Sequence, residues 1–509
     1  MRKRYIPLYM LSCLIGLTGC SKLDEKFNGT LTGEEAKQIF GDNGDVESLM
    51  NATYDAMYLP YIDQSRWWAA QEHTTDEAVG PTRGGDWDDN GVWRTLHTHQ
   101  WDGSHGFLAD CYRDLGRIVF SATEVLRFSP TPQQEAEARF IRAYAMFSIL
   151  EGWDQVPYRE NTGDPFEVPK VRKGTEALDY IISEVEAVRA NLPDGPAYRA
   201  NKDAAKAFLM KLYLNKGMIA NRAAPTFAAE DMQKVIGFAD ELINSNKYSL
   251  QTNFFDNFAP TNNVKSKELI YTILNTPGVG KAANARTRYF STLHYNNNPS
   301  GWNGFTTLSD FYDKFDAADQ RLGGSYPTQT DVSGLKTGFL LGQQYNQNGE
   351  ALKDRNGAPL AFTKDVSLIE VGNNLEVTGI RVIKYTVDYV SGDNTDNDYV
   401  LLRYADVLLM KAEALLRTGN SADALTLVNQ VRTRAGVPTL ASIDLNGLLD
   451  ERGRELYWEG WRRNDLLRFG KYLDAWQLKS ADADPKTLLF PIPYRSLAAN
   501  PNLTQNPGY

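Results

Sequence analysis

Apolar residues recur at steps of three and four over two long stretches of the chain. Tyr112, Leu115, Ile118, Val119, Ala122, Val125 and Leu126 share one helical face, and Pro130 ends the run. The same period carries Ile141, Tyr144, Ala145 and Ser148, then Ala177, Leu178, Ile181, Ile182, Val185 and Val188. It returns at Phe208, Leu209 and Leu212, and at Val235, Ala239 and Leu242. A second helical zone runs from about Tyr399 to Trp476.

Some of these helices pair as hairpins. Ala412-Glu413-Ala414-Leu415-Leu416-Arg417-Thr418-Gly419-Asn420 leads into Ala422-Asp423-Ala424-Leu425, with glycine opening the turn and alanine letting the helices approach. This resembles a tetratricopeptide helix pair, and Ala205 to Leu242, with Gly217 between its helices, reads as a looser copy. Either stretch alone fits a generic helical hairpin equally well. Between the zones, residues 251–398 are rich in Asn, Gly, Thr, Tyr and Asp. Short β-like runs occur there, at Leu269 to Leu274 and Gly379 to Tyr385. Residues 60–105 have similar character, and loops of this length in a helical body point to a binding surface. The expected fold is therefore mainly α: tetratricopeptide-like hairpins forming a scaffold, with long loop-rich insertions and a few short strands. Its N-terminal region is 29–250, with an aromatic loop at 60–105. Its C-terminal region is 251–509, loop-rich to 398 and helical from 399.

The first residues have another logic. Met1-Arg2-Lys3-Arg4 is followed by a short apolar run and then Leu17-Thr18-Gly19-Cys20, the pattern of an export signal. Cysteine directly after Leu-Thr-Gly resembles the bacterial lipobox. Residues 1–19 would then be a lipoprotein signal peptide, Cys20 the lipidated first residue, and 20–28 a polar tether. The plainer alternative is an ordinary signal with a chance cysteine. No later stretch is long and apolar enough to span a bilayer.

Net charge is −10, from 54 Lys plus Arg against 64 Asp plus Glu, with no basic run, which argues against nucleic acid as a partner. Once Cys20 is acylated, Cys111 has no partner for a disulfide and reads as a small buried side chain.

Five of the ten tryptophans (Trp67, Trp68, Trp87, Trp93, Trp101) and four of the five histidines fall between residues 67 and 105. That concentration marks the segment for function. Aromatic rings among Asp76, Glu77, Arg83, Asp86, Asp88 and Asn90 suit a sugar: the ring covers the C–H face, and the polar groups take the hydroxyls. Trp93 and one of Trp67 or Trp68 read as core. His97-Thr98-His99, with His105, would share a face of a strand and suggest metal, but the spacing matches no common zinc signature. Asp76 with Glu77, or Asp86 with Asp88, lacks the fixed separation of a glycosidase pair, and no catalytic or phosphate-binding motif appears. Asp393-Asn394-Thr395-Asp396-Asn397-Asp398 leaves structural calcium open as an alternative, but it has no EF-hand spacing and reads first as a solvated loop. No cofactor and no enzymatic activity are expected.

Leu449-Asp450-Glu451-Arg452-Gly453-Arg454-Glu455-Leu456-Tyr457-Trp458-Glu459-Gly460-Trp461-Arg462-Arg463-Asn464-Asp465 resembles the hallmark helix pair of the SusD/RagB family. Phe490-Pro491-Ile492-Pro493 and Asn500 to Tyr509 are similar to that family's terminus. Read from the residues alone, the block is architecture. Its charged groups form a network where two helices meet, over Leu456, Trp458 and Trp461. The resemblance implies a lipid-anchored protein of the outer membrane, facing the cell exterior, that captures glycan and passes it to a SusC-like TonB-dependent transporter. A RagB-type lid receiving peptide or glycopeptide is the alternative, and a periplasmic helical-repeat scaffold a third reading. Carried over by position, the family's glycan site implies Asp76, Arg83 and Trp101 in one loop. Tyr289 or Tyr295, with Trp302 and Asn303, form its second part. Trp87 is added by its segment, and His99 stands where an aromatic platform would be expected.

Overall fold

The computed structural model describes residues 45–84, 86–162, 166–372 and 374–509. The signal peptide, Cys20, the tether and the start of the N-terminal region lie outside the described residues.

Helix α1 (Gly106–Val125) begins at His105, whose ring nitrogen accepts the Leu108 N–H, and packs against α2 (Pro132–Trp153). Thr131 and Gln134 close a reciprocal capping box at the start of α2, with Pro132 in the first helical position. From Ala136 onward α2 is buried almost all round, so it is the central rod of the N-terminal half. The layer continues with α3 (Gly174–Val188), α4 (Lys202–Ala220) and α5 (Ala229–Asn244). The C-terminal hairpin, α6 (Tyr404–Arg417) and α7 (Ser421–Arg434), docks through α6 onto α5 and extends that layer. The two hairpins are thus real, but Gly217 is not the turn between α4 and α5. It lies in the last turns of α4, where a Cβ would fall 1.4 Å from the Thr226 carbonyl oxygen. The glycine lets the connecting loop fold back onto the helix.

Among the described residues no helix is long and apolar enough to cross a membrane. Cys111 is a free, fully buried thiol, and burial drives its pKa up.

The loop-rich insertion leaves and re-enters the helical layer through one antiparallel pair. Tyr399–Arg403 runs against Leu269–Ile273, with Tyr399 opposite Ile273 and Arg403 opposite Leu269. Within the insertion, Thr337–Leu340 is the middle strand between Arg381–Ile383 and Gly323–Gly324. Both β-like runs of the sequence form strands, at Leu269–Ile273 and Arg381–Ile383. A two-residue parallel pairing of Thr82–Arg83 with Ile369–Glu370 fastens the 60–105 loop to this insertion. That loop also contains helical turns at Trp67–Glu72 and Val92–His97, so the alternating-strand reading of His97 and His99 is wrong.

Leu445–Leu456 (α8) and Arg462–Arg468 (α9) meet over a buried charge network. Arg403 bonds Glu268, Glu455 and Glu459, while Arg321 bonds Asp319, Glu451 and Glu455. Arg452 and Arg468 share Asp465, and Arg463 reaches Glu151 in α2. Trp458 and Trp461 lie buried beside it. Each guanidinium satisfies two or more acceptors, which low-dielectric burial of charge requires.

Candidate functional site

The loop from Phe290 to Gly304 is held by its own backbone. Trp302 N–H donates to Phe290 O at 2.7 Å, Asn303 N–H to Leu293 O at 2.8 Å, and Gly304 N–H to Ser291 O at 2.9 Å. These bonds push the Trp302 indole outward, leaving it 38% exposed. Phe290, half-buried, sits 5.8 Å from it at 43°, and the half-buried Trp87 6.5 Å away at 44°. Phe290, Trp302 and Trp87 thus form a run of mutually tilted rings along one surface. Trp87 is contributed by the other loop: its Nε1–H donates to Trp302 O at 2.8 Å. Gly304 is required here, since a Cβ would meet the Trp87 ring at 2.4 Å.

Arg83 and Asn303 lie beneath the rings rather than on the surface. The buried Arg83 donates from Nε to Asn303 O and from Nη2 to Gly304 O, and its other arm bonds Leu375 O and Thr378. Arg381 donates to the Asn303 side-chain oxygen at 2.8 Å. Burial lowers the pKa of both guanidiniums, that of Arg83 to about 10, so Arg83 remains a cation at neutral pH, and the Arg83 charge adds to the lowering at Arg381. Two buried guanidiniums donating to carbonyls fix the Trp302 loop from below. Tyr295 flanks the surface, donating to Asp86 Oδ2 at 3.1 Å, with the Arg355 guanidinium over its ring at 3.8 Å. Burial raises the Tyr295 pKa, with the nearby Asp86 charge adding to it. Tyr289 is buried under Phe290, rings 5.4 Å apart at 30°, and serves as its support.

The remaining sequence candidates are core. Asp76 is buried in a bidentate pair with Arg462, at 2.7 and 2.8 Å. Burial alone would raise its pKa, but the guanidinium outweighs that and holds the carboxyl below its usual value. His99 is buried, its ring nitrogens facing Asp482 Oδ2 at 2.6 Å and Thr74 O at 3.0 Å, and burial lowers its pKa. Trp101 is buried against Phe490 and donates to the Tyr509 hydroxyl at 2.7 Å. None of these three reaches the ring surface, for one reason: each is paired with a residue of the C-terminal region, which packs over them. Trp67, Trp68 and Trp93 are core as well. His97 faces the carbonyls of Ala78 and Gln477, and His105 caps α1.

Sequence reasoning missed Phe290, Arg355 and Tyr389. Tyr389 bonds Asn298 O and, at 2.6 Å, the Ser333 hydroxyl, bracing the far end of the same loop. The available signal was the spacing Phe290 to Trp302 around a Asn/Gly-rich turn.

Residues 267–509 match the sequence family described as "SusD family", and residues 44–214 match "Starch-binding associating with outer membrane". The chain belongs to the SusD family. It is 26% identical over 473 residues to the starch-binding protein SusD of Bacteroides thetaiotaomicron, covering 83% of this chain and 82% of that protein. A SusD-like protein of Bacteroides fragilis has the same fold, with TM-score 0.72 at 19% identity, over 94% of this chain and 100% of the other. Surface glycan-binding protein A of Bacteroides thetaiotaomicron, solved in complex with laminarihexaose, superposes with TM-score 0.66 at 16% identity, over 91% and 98%. The mainly helical SusD architecture is therefore the fold of this chain.

Proposed function

We propose that this SusD-family protein binds carbohydrate on the Phe290–Trp302–Trp87 surface and performs no chemistry on it. The observation that carries the reading is Trp302: a large ring held outward by three backbone hydrogen bonds and clamped from below by two buried arginines. Preorganisation of that kind lowers the ordering cost of binding. One ring covering on the order of 100 Å² of a sugar's apolar face contributes about 2.5 kcal/mol at ~25 cal/mol/Å². A few such contacts, less the ordering cost, give roughly millimolar to micromolar binding. Asp86 and Arg355 stand at the edge as hydrogen-bonding partners for hydroxyls. The starch- and laminari-oligosaccharide-binding relatives named above support a glycan over a peptide as the ligand.

The membrane address follows the lipobox-like Cys20 and the family description of proteins associating with the outer membrane. Anchored through that lipid and facing outward, the protein captures glycan and hands it to a SusC-like TonB-dependent transporter. Affinity electrophoresis in gels containing amylopectin, laminarin, xylan or polygalacturonate tests the ligand class. At least one polymer should retard the wild-type chain and fail to retard Trp302→Ala. Absence of any retardation, with peptide co-purifying instead, overturns the glycan reading in favour of a peptide lid. Cys20→Ala should release the protein from the cell surface and leave its affinity in solution unchanged.

A further inference from the structure

A separate cleft of about 380 Å³ opens where the strand Thr337–Leu340 passes into Gly342–Gln343. Its volume falls within the range of small-molecule sites, about 300–1,000 Å³. Tyr312 and Tyr345 stand on its walls, together with Leu341, Lys336, Gln343 and Gln344. Tyr345 is 46% exposed and Leu341 38%. Bare backbone lines the space between them: a Cβ at Gly324 or at Gly342 would meet nothing within 4 Å.

The polar groups of this cleft are set but unused. Gln343 spends its amide nitrogen on the carbonyls of Gln344 and Leu352, each at 2.8 Å, and Gln344 spends its own on Gly342 O at 2.9 Å. Those bonds orient both amides and leave their oxygens as acceptors. Among the described residues nothing bonds the hydroxyls of Tyr312 and Tyr345 or the ammonium of Lys336. Two phenol rings with unpaired hydroxyls, two oriented amide oxygens and one ammonium around a glycine floor match a sugar ring. It offers C–H faces to the phenols and alternating donors and acceptors around its edge.

The cleft also adjoins the Trp302 loop. Gly334 on its rim follows Ser333, which bonds Tyr389, and Tyr389 bonds Asn298 of that loop. The hairpin carrying Tyr345, bridged to Ala351, holds Asn296 of the same loop through Lys353 O at 2.9 Å. We propose that the Tyr312–Tyr345 cleft is a second saccharide subsite, taking a mono- or disaccharide unit of the polymer whose neighbouring stretch lies on Trp302. This rests on the glycan reading of Trp302. Two linked subsites favour long chains, because the second contact becomes intramolecular.

The test uses the wild-type chain, Tyr345→Ala, Lys336→Ala and Trp302→Ala. Each is titrated calorimetrically with the polysaccharide that retards the wild type in the gels, and with its hexasaccharide. Tyr345→Ala should weaken polymer binding about tenfold and leave hexasaccharide binding within about twofold, the pattern of a lost avidity contact. Lys336→Ala, at an exposed position, should move polymer affinity in the same direction by a smaller factor. Trp302→Ala should weaken both ligands. Unchanged polymer affinity in Tyr345→Ala and in Lys336→Ala overturns the second subsite while leaving the Trp302 reading standing. A wild type that binds none of the polymers overturns both.

Discussion

The Trp87 indole N–H donates to the backbone carbonyl of Trp302 across 2.8 Å, so a tryptophan from each loop region holds the other in place. One member is more buried and braces; the other presents its ring. The pair explains why the site needs two segments more than two hundred residues apart in sequence.

Replacing Trp87 with phenylalanine should therefore act through position. The ring remains, but Trp302 O loses its donor, at a cost of about 1 kcal/mol. Glycan affinity should fall roughly fivefold with little change in melting temperature. Wild-type affinity, measured by calorimetry, would show that Trp302 is held without its partner.

Trp101 and Trp302 should separate cleanly. Trp101 packs on Phe490 and bonds Tyr509, so Trp101→Ala should cost about 3–5 kcal/mol of stability, as large-to-small core changes do. Its folded fraction should bind glycan normally. Trp302→Ala should do the reverse: keep its unfolding midpoint and lose binding. Denaturant titration alongside affinity electrophoresis distinguishes them.

Arg462→Ala should be strongly destabilising. It leaves the Asp76 carboxylate buried without the guanidinium that holds both its oxygens. Removing one partner of a buried pair costs about 3–5 kcal/mol. Low soluble yield or a large fall in melting temperature is expected. An unchanged melting temperature with lost glycan binding would refute this structural role.

Asp398 predicts a pH dependence. Burial lifts its pKa to about 7, against the hydrogen bonds from Asn275 N–H and Thr272 that favour the charged form. A carboxyl whose folded pKa lies above its unfolded value of 3.8 binds its proton more tightly in the folded state. Its contribution is complete below pH 3.8 and is lost as pH rises towards 7. Asp398→Asn, fixed in the neutral form, should gain stability relative to the wild type across that window, by a few kcal/mol at its upper end. Chemical denaturation at a series of pH values measures the difference. A constant difference from pH 4 to 8 would mean that Asp398 does not titrate there.

The helical zones could be read along the chain because amphipathic periodicity is a local property: Leu115, Ile118 and Val119 have to share a face whatever they pack against. The same holds for the strand at Leu269 to Ile273. The hallmark block from Leu449 to Asp465 also announced its charge network, since so many Arg and Glu residues within two short helices have to satisfy one another. Its composition did not reveal that the network reaches Asp76, Glu77 and Glu151 in the N-terminal half.

Which aromatic rings face solvent was decided by tertiary structure alone. Trp101, His99 and Trp302 are equally plausible platforms in sequence, for each sits in a polar loop beside acids and amides. The C-terminal region then covers the first two through Tyr509, Phe490 and Asp482, while backbone bonds to Phe290, Leu293 and Ser291 turn the third outward. Exposure depends on what arrives from elsewhere in the chain, and residue type and spacing do not carry that information. The sequence by itself determined a helical scaffold, a loop-rich insertion rich in rings, and a candidate lipid anchor at Cys20. Packing across several hundred residues selected Trp302, with Phe290 and Trp87 at its sides, as the surface those rings present.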